Sequence, residues 1–331
     1  MLDLPRLRRI RLSRKPVIQR LVAYSVLAPN YELFPGITIE MDGAERVPDE
    51  PVIIAMNHTD RYNYFPFQYA WWRRQNRFTA TWVKGKYYES MGTVMFMELT
   101  INLPTVSRGY LISKDVNATL GRRPAEDEYP RLRALVLAAS RGESPTPDPD
   151  LPRELFERPR DILGRPFDPF RESWPEAMEA LYRAMMGSFL DLNENAARLG
   201  LDLLIFPQGT RSKRLSQGHI GIAQIAMHLR RTVVPVGCNG TDKVYPGGSP
   251  FARAGTVTYR FGEPLTPSDV ADLLPEEPFV PFTREAEERH RDAFDAYVER
   301  IMERIDGLLD DEYRYSDGRQ SEGVQGMDRF L

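Results

Sequence analysis

One of the four histidines in this 331-residue chain stands at an abrupt change of character. The stretch VIIAMNHTDRYNYF, residues 52–65, begins as an apolar run and then breaks into Asn57, His58, Asp60, Arg61 and Asn63. Imidazole gains or loses a proton near neutral pH, so a histidine among polar partners at the end of a buried run marks a candidate site of proton chemistry. A second stretch, IFPQGTRS at 205–212, also closes an apolar run. Its Gly209–Thr210 turn and Arg211 have the make-up of an anion clamp. Glycine lets the backbone approach closely, and arginine grips phosphate through two parallel hydrogen bonds. The plainer reading pairs Arg211 with a nearby carboxylate. A third stretch, VVPVGCNG at 233–240, carries the one cysteine, Cys238, which reads as a packed thiol rather than a nucleophile.

The other histidines are blander: His219 reads as a turn residue, His228 as a helix residue and His290 as a solvated residue on a charged C-terminal helix. No metal-ligand spacing occurs, and neither a G-x-x-x-x-G-K-[ST] nor a G-x-G-x-x-G phosphate loop.

These stretches must be carried by strands. Short apolar, β-branched runs recur at 37–41, 52–56, 78–83, 201–206, 232–237 and 256–261, with helical patterns between several of them. That alternation predicts an α/β fold with a largely parallel central sheet flanked by helices. Ligands in such sheets collect beyond the carboxyl ends of the strands, so the three stretches are expected to face one crevice. One helix is well marked after Ser173: Met178, Leu181, Met185, Phe189, Leu192, Ala196 and Leu199 keep a 3.6-residue period, bounded by Pro175 and Gly200. A second runs from about 283 to 309, with Phe294, Val298, Ile301, Ile305 and Leu308 on one face. Ten prolines fall between 121 and 175, and this span is expected to be an inserted, irregular flap over the site. The organisation read from the sequence is therefore a basic, amphipathic segment at 1–36, an α/β domain at 37–315 with the insertion at about 121–175, and a flexible tail at 316–331.

A net charge of −3 and a pI near 6.0 give no footprint for nucleic acid. A single cysteine excludes a disulfide framework and fits a reducing compartment. No uninterrupted apolar stretch of about 18 residues is present, so no transmembrane helix is expected. The N-terminus lacks the apolar core of a secretory leader. Arg6, Arg8, Arg9, Arg11, Arg14 and Lys15 nevertheless crowd the start, ahead of an amphipathic stretch. Such a segment either rests on an anionic membrane surface or forms a solvated arm. The aromatic run at 64–78 likewise fits a membrane border or packing against the sheet.

Taken together the stretches resemble the glycerolipid acyltransferase superfamily, the PlsC-like lysophosphatidic acid and glycerol-3-phosphate acyltransferases. That family shows N-H-x4-D, a later segment with an arginine, F-P-E-G-T-R-S, and a strand with V-P-V. Here the first is Asn57, His58 and Asn63; the second is TVSRG with Arg108; the third runs from Phe206 to Ser212; the fourth is Val234, Pro235 and Val236. Lesser echoes are VKGKYYE at 83–89 and FGEPL at 261–265, and the resemblance spans residues 37 to 265. It implies transfer of a fatty acyl group from a thioester, on coenzyme A or acyl carrier protein, to a phospholipid-type or related acceptor. His58 would then be the general base and Asn63 its catalytic partner. Arg108, Gln208, Gly209, Thr210 and Arg211 would bind substrate. No cofactor or metal is implied beyond the acyl-thioester co-substrate. The implied setting is lipid metabolism and phospholipid biosynthesis, cytoplasmic or peripheral on a membrane, with no nucleic-acid partner.

The match breaks at two places: the family's aspartate is Asn63 here and its glutamate is Gln208. An asparagine carbonyl can accept a bond from the imidazole N–H and fix its tautomer, yet it cannot stabilise an imidazolium by charge. In serine proteases that exchange costs about 10⁴ in turnover, whereas cysteine proteases work with a native asparagine. Asp60, two residues beyond His58, is an alternative orienter. If the pocket matches the family's, two carboxylates fewer make it more positive, which favours a more anionic acceptor or removes the need for a carboxylate that binds the acceptor's hydroxyls. The rival reading is a catalytically inactive acyltransferase relative that binds lipid or a partner protein.

Overall fold

The structure is a computed structural model that describes residues 1–33, 36–316 and 318–321. Most of the expected flexible tail, residue 317 and residues 322–331, lies outside the described residues.

Nine strands form among the described residues: β1 (Ile37–Asp42), β2 (Ile53–Met56), β3 (Thr79–Lys84), β4 (Asn102–Thr105), β5 (Arg160–Ile162), β6 (Arg165–Phe167), β7 (Asp202–Ile205), β8 (Val233–Asn239) and β9 (Gly255–Phe261). Seven of them make one sheet in the order β1-β9-β8-β2-β7-β3-β4, while β5 and β6 form a separate hairpin. Every neighbouring pair in the large sheet is parallel except β8–β9. The mixed α/β architecture with a mostly parallel sheet is the one the sequence predicts. Parallel strands covered on both faces are built from continuous apolar runs. Accordingly Ile53, Ile54, Ala55 and Met56 of β2 are all fully buried.

Because β8, β2, β7, β3 and β4 run the same way, their carboxyl ends at Asn239, Met56, Ile205, Lys84 and Thr105 open on one edge of the sheet. One core lies between the sheet and the helices Arg108–Leu120, Trp174–Arg198, Gly221–Leu229 and Arg284–Asp306. The other lies under the aromatic helix Tyr64–Gln75 and the N-terminal turns around Ala23, Leu27 and Tyr31. The long helix Trp174–Arg198 begins with a reciprocal Ser173–Glu176 capping box and carries Pro175 in its first turn, where a missing N–H costs nothing.

Two expectations need correcting. The Pro-rich span is not an irregular flap over the site. It contains a regular helix, Glu128–Ser140, whose Leu132 and Val136 are buried in the main core, followed by the β5–β6 hairpin. Pro130 sits in the first turn of that helix, and most of the other prolines fall in its connections. Asp115 accepts hydrogen bonds from Arg160 and from Trp174 Nε1, tying the hairpin to the helical layer. The first residues are not a solvated arm either. Leu2, Leu4, Leu7 and Ile10 are buried, and Leu4 N donates to Leu163 O at 2.9 Å, while Arg8, Arg9, Arg11, Arg14 and Lys15 face outward.

At the opposite, amino-terminal edge of the sheet, the buried Asp202 carboxylate accepts from Val52 N, Trp71 Nε1 and the Arg77 guanidinium. Removing one member of a buried ionic cluster leaves the others uncompensated. Asp202→Ala is therefore expected to lower the free energy of urea unfolding by about 3–5 kcal/mol. A loss under about 1 kcal/mol would show that the cluster behaves as an ordinary surface pair.

Candidate active site

The carboxyl end of β2 is stitched to β8 by Asn57. Its Nδ2 donates to Cys238 O at 3.0 Å, and its Oδ1 accepts from Cys238 N at 2.6 Å. The next residue, His58, is held on both sides of its backbone by the loop that follows β7. His58 N donates to Gln208 Oε1 and Ser212 N donates to His58 O, each at 2.9 Å. The imidazole is half-buried and lies flat on Phe206, with ring centroids 4.2 Å apart.

The tautomer of that ring follows from a chain of hydrogen bonds. Asn63 is fully buried, and its Nδ2 donates to Asn57 O at 2.8 Å. The amide nitrogen must face that carbonyl, so the amide oxygen faces the ring. Asn63 Oδ1 lies 2.9 Å from His58 Nδ1, and only an Nδ1–H can complete that contact. The proton is thereby placed on Nδ1, and Nε2 carries the free lone pair. Burial pushes the His58 pKa down to about 3, and Arg211 and Lys84 push in the same direction against the opposing Asn63 bond. The ring is neutral at physiological pH.

Asp60 does not orient the ring. Its Oδ1 accepts from Tyr62 N at 2.8 Å and its Oδ2 from Thr59 Oγ1 at 2.9 Å, which closes the turn ahead of the helix Tyr64–Gln75. Cys238 is buried, its thiol pushed up by burial and 3.4 Å from Thr241 Oγ1. It is a packed thiol, as read from the sequence.

The loop after β7 treats its residues unequally. The Gln208 side chain turns into the protein, where Nε2 donates to Ser216 Oγ at 3.2 Å and to Arg214 O at 3.4 Å. A glutamate would set a carboxylate oxygen against the Arg214 carbonyl, so the amide suits this position, and its role is to hold the loop to His58. Gly209 has φ +65°, and a Cβ there would stand 2.7 Å from His219 Cδ2. Both the conformation and the close approach require glycine. Thr210 is buried, with its hydroxyl 3.2 Å from Ser321 Oγ. Arg211 is half-buried, and among the described residues no hydrogen bond or ion pair engages its guanidinium, so the carboxylate-pair reading does not apply.

Arg108 is placed differently from what the resemblance implies. Its guanidinium makes two hydrogen bonds to Glu179, at 2.7 and 3.0 Å, and lies 4.0 Å over the Tyr182 ring. Its charge is committed there, and it does not line the cleft. Its neighbours Val106, Ser107 and Tyr110 do.

A cleft of about 290 Å³ opens on this edge of the sheet, lined by Lys84, Gly85, Lys86 and Thr105 from the ends of β3 and β4 and by Gly209, Thr210 and His219 from the loop after β7. Lys84 and Lys86 were not among the predicted site residues, although they fall in the echo VKGKYYE at the end of a predicted strand. His58 and Arg211 are not in this lining, although Arg211 and Lys84 both act on the charge of the His58 ring. No residue of 121–175 lines this cleft.

No family model matches the chain, and no curated protein sequence matches it. Among solved structures, the 1-acyl-sn-glycerophosphate (LPA) acyltransferase PlsC from Thermotoga maritima aligns over 86% of this chain and 79% of its own, at 15% sequence identity and a TM-score of 0.39.

The His58 environment predicts a pH signature. With its pKa near 3 in the fold against 6.5 for the free side chain, the unfolded chain binds the extra proton between those values. Stability linked to His58 is then fully present above about pH 6.5 and is lost as pH falls toward 3. Between these values the wild type should lose stability more steeply than His58→Gln, by up to about 1.4 kcal/mol per pH unit in urea titrations. Equal slopes would contradict a desolvated ring.

Proposed function

We propose that the protein transfers an acyl group from a thioester to an acceptor nucleophile at the carboxyl edge of the sheet, with His58 as general base. One observation carries this reading. A neutral imidazole is pinned through Nδ1 by Asn63, which leaves Nε2 free to take a proton, at the edge where the strand ends converge. The acceptor attacks the thioester carbonyl while Nε2 draws off its proton, and the C–S bond breaks to release the thiol. General-base help is worth about 10²–10⁴ in rate when the base's pKa lies near the operating pH, and a pKa near 3 places His58 at the weak end of that range. Cationic side chains that suit the phosphates of coenzyme A, of a phosphopantetheine arm or of a phospholipid-type acceptor are Lys84 and Lys86 in the cleft lining and Arg211 near the ring.

A lipid acceptor fits a further feature of the chain. Val17, Leu21, Tyr24 and Leu33 of the N-terminal turns and Met95, Phe96 and Leu99 of the helix Met91–Leu99 are exposed apolar residues. They come from the elements beside an apolar groove lined by Val22, Leu27, Phe65, Tyr69, Trp72 and Phe96. Among the described residues no helix is long and apolar enough to cross a membrane. An exposed apolar face of this kind suits docking on a lipid surface. The second reading, a lipid- or partner-binding relative without turnover, is favoured by one observation: among the described residues an amide, Asn63, and no carboxylate stands behind the imidazole.

A free-thiol release assay with acyl-coenzyme A, with and without a panel of lipid acceptors, separates the two. The expected result is acceptor-dependent thiol release that His58→Ala lowers by about 10²–10⁴. Background-level release by the wild type across the panel would favour the binding protein.

A further inference from the structure

We propose that the acceptor atom at this site is the nitrogen of a primary amine, so that the product is an amide rather than an ester. The inference rests on the acyl-transfer reading above and concerns which nucleophile the base can serve.

The argument starts from what surrounds the ring. His58 Nδ1 is bonded to a neutral amide, and that amide cannot swing away, because Asn63 is fully buried with its Nδ2 bound to Asn57 O. The nearest carboxylate in sequence, Asp60, has both oxygens engaged in its own turn. The charged groups acting on the ring are Arg211 from the loop after β7 and Lys84 from β3, both cations. Among the described residues, then, no anion is placed to offset a positive charge on the imidazole.

That arrangement weighs differently on the two nucleophiles. An alcohol is a poor nucleophile until its proton leaves. The base must accept the proton as the C–O bond forms, and imidazolium charge develops in the transition state. Serine proteases stabilise that charge with a carboxylate, and losing it to asparagine costs about 10⁴. An amine in its free-base form already has an available lone pair. It attacks first, and its N–H becomes strongly acidic only once the C–N bond exists, so a weak base held in the right place suffices. A setting that handicaps an alcohol therefore favours an amine.

The step balances without a further reagent. The amine nitrogen bonds to the thioester carbon, His58 Nε2 accepts the ammonium proton of the tetrahedral intermediate, the C–S bond breaks, and the proton passes to the leaving thiolate. The products are an amide and a free thiol.

A lysophosphatidylethanolamine acceptor offers both a hydroxyl and a primary amine in one molecule. Incubation of the full-length protein with labelled acyl-coenzyme A and this acceptor, followed by mild alkaline methanolysis, reads the outcome directly, because esters are cleaved and amides are not. The expected result is label retained on the head group, with lysophosphatidylglycerol at least about tenfold slower as acceptor. In Asn63→Asp, which puts a carboxylate behind the ring, the ester-to-amide ratio should rise at least about tenfold. Label released by alkali in the wild type overturns the amine assignment and leaves the transferase reading standing. An unchanged ratio in folded Asn63→Asp also overturns the assignment. Transfer to neither acceptor, under conditions where the apolar face binds the lipid, overturns both.

Discussion

The Asn63 amide is the contact on which the rest of the site depends. Its two ends face different groups, a backbone carbonyl at Asn57 and a ring nitrogen at His58, and neither can be exchanged for the other. A side chain with one donor end and one acceptor end thus fixes three things at once: where the ring lies, which nitrogen holds the proton and which is bare. A carboxylate would satisfy the ring but repel the carbonyl of Asn57. The amide is a consistent solution for a site that needs orientation without negative charge.

Everything around this contact serves to keep it in place. Five parallel strands bring their carboxyl ends to one edge, so loops far apart in sequence meet there without long connections. Asn57 locks β2 to β8, Gln208 and Ser212 grip the His58 backbone from the β7 side, and Phe206 supplies a flat wall for the ring. The loop that carries Gln208 is itself braced from outside by the chain's later residues. Leu215 N donates to Tyr313 O at 2.8 Å, and Gln217 N donates to Arg319 O at 3.2 Å. The buried Tyr313 in turn donates through its hydroxyl to Asp242 and accepts from Gly240 N, so the loops after β7 and β8 share one support.

Much of this was legible in the sequence, for identifiable reasons. Strands buried on both faces have to be continuous apolar runs, which is why β2, β7 and β8 stand out. The edge strand β4 escaped because it is short and contains Pro104, a residue tolerated only where no neighbour needs its N–H. The span 121–175 was misread because proline counts say nothing about position: Pro130 in a first turn is compatible with the helix it opens. His58 and Asn63 fall in the segment after β2, and Gly209 and Arg211 in the loop after β7, the stretches whose polar residues interrupt apolar runs in the sequence. The pairing of Arg108 is not legible in the sequence, because its partner, Glu179, lies on a helix 71 residues away and no local pattern announces the pair. For Gln208, spacing reveals a residue's place on a loop but not that its side chain turns inward.

The protonation state of the His58 ring nitrogens tests the account most directly. Nitrogen-15 NMR of imidazole-labelled protein distinguishes a protonated ring nitrogen from a bare one and reports each separately. The account predicts, at neutral pH, a neutral ring with the proton on Nδ1 and a bare Nε2. A ring protonated on Nε2 alone, or an imidazolium at neutral pH, would contradict it.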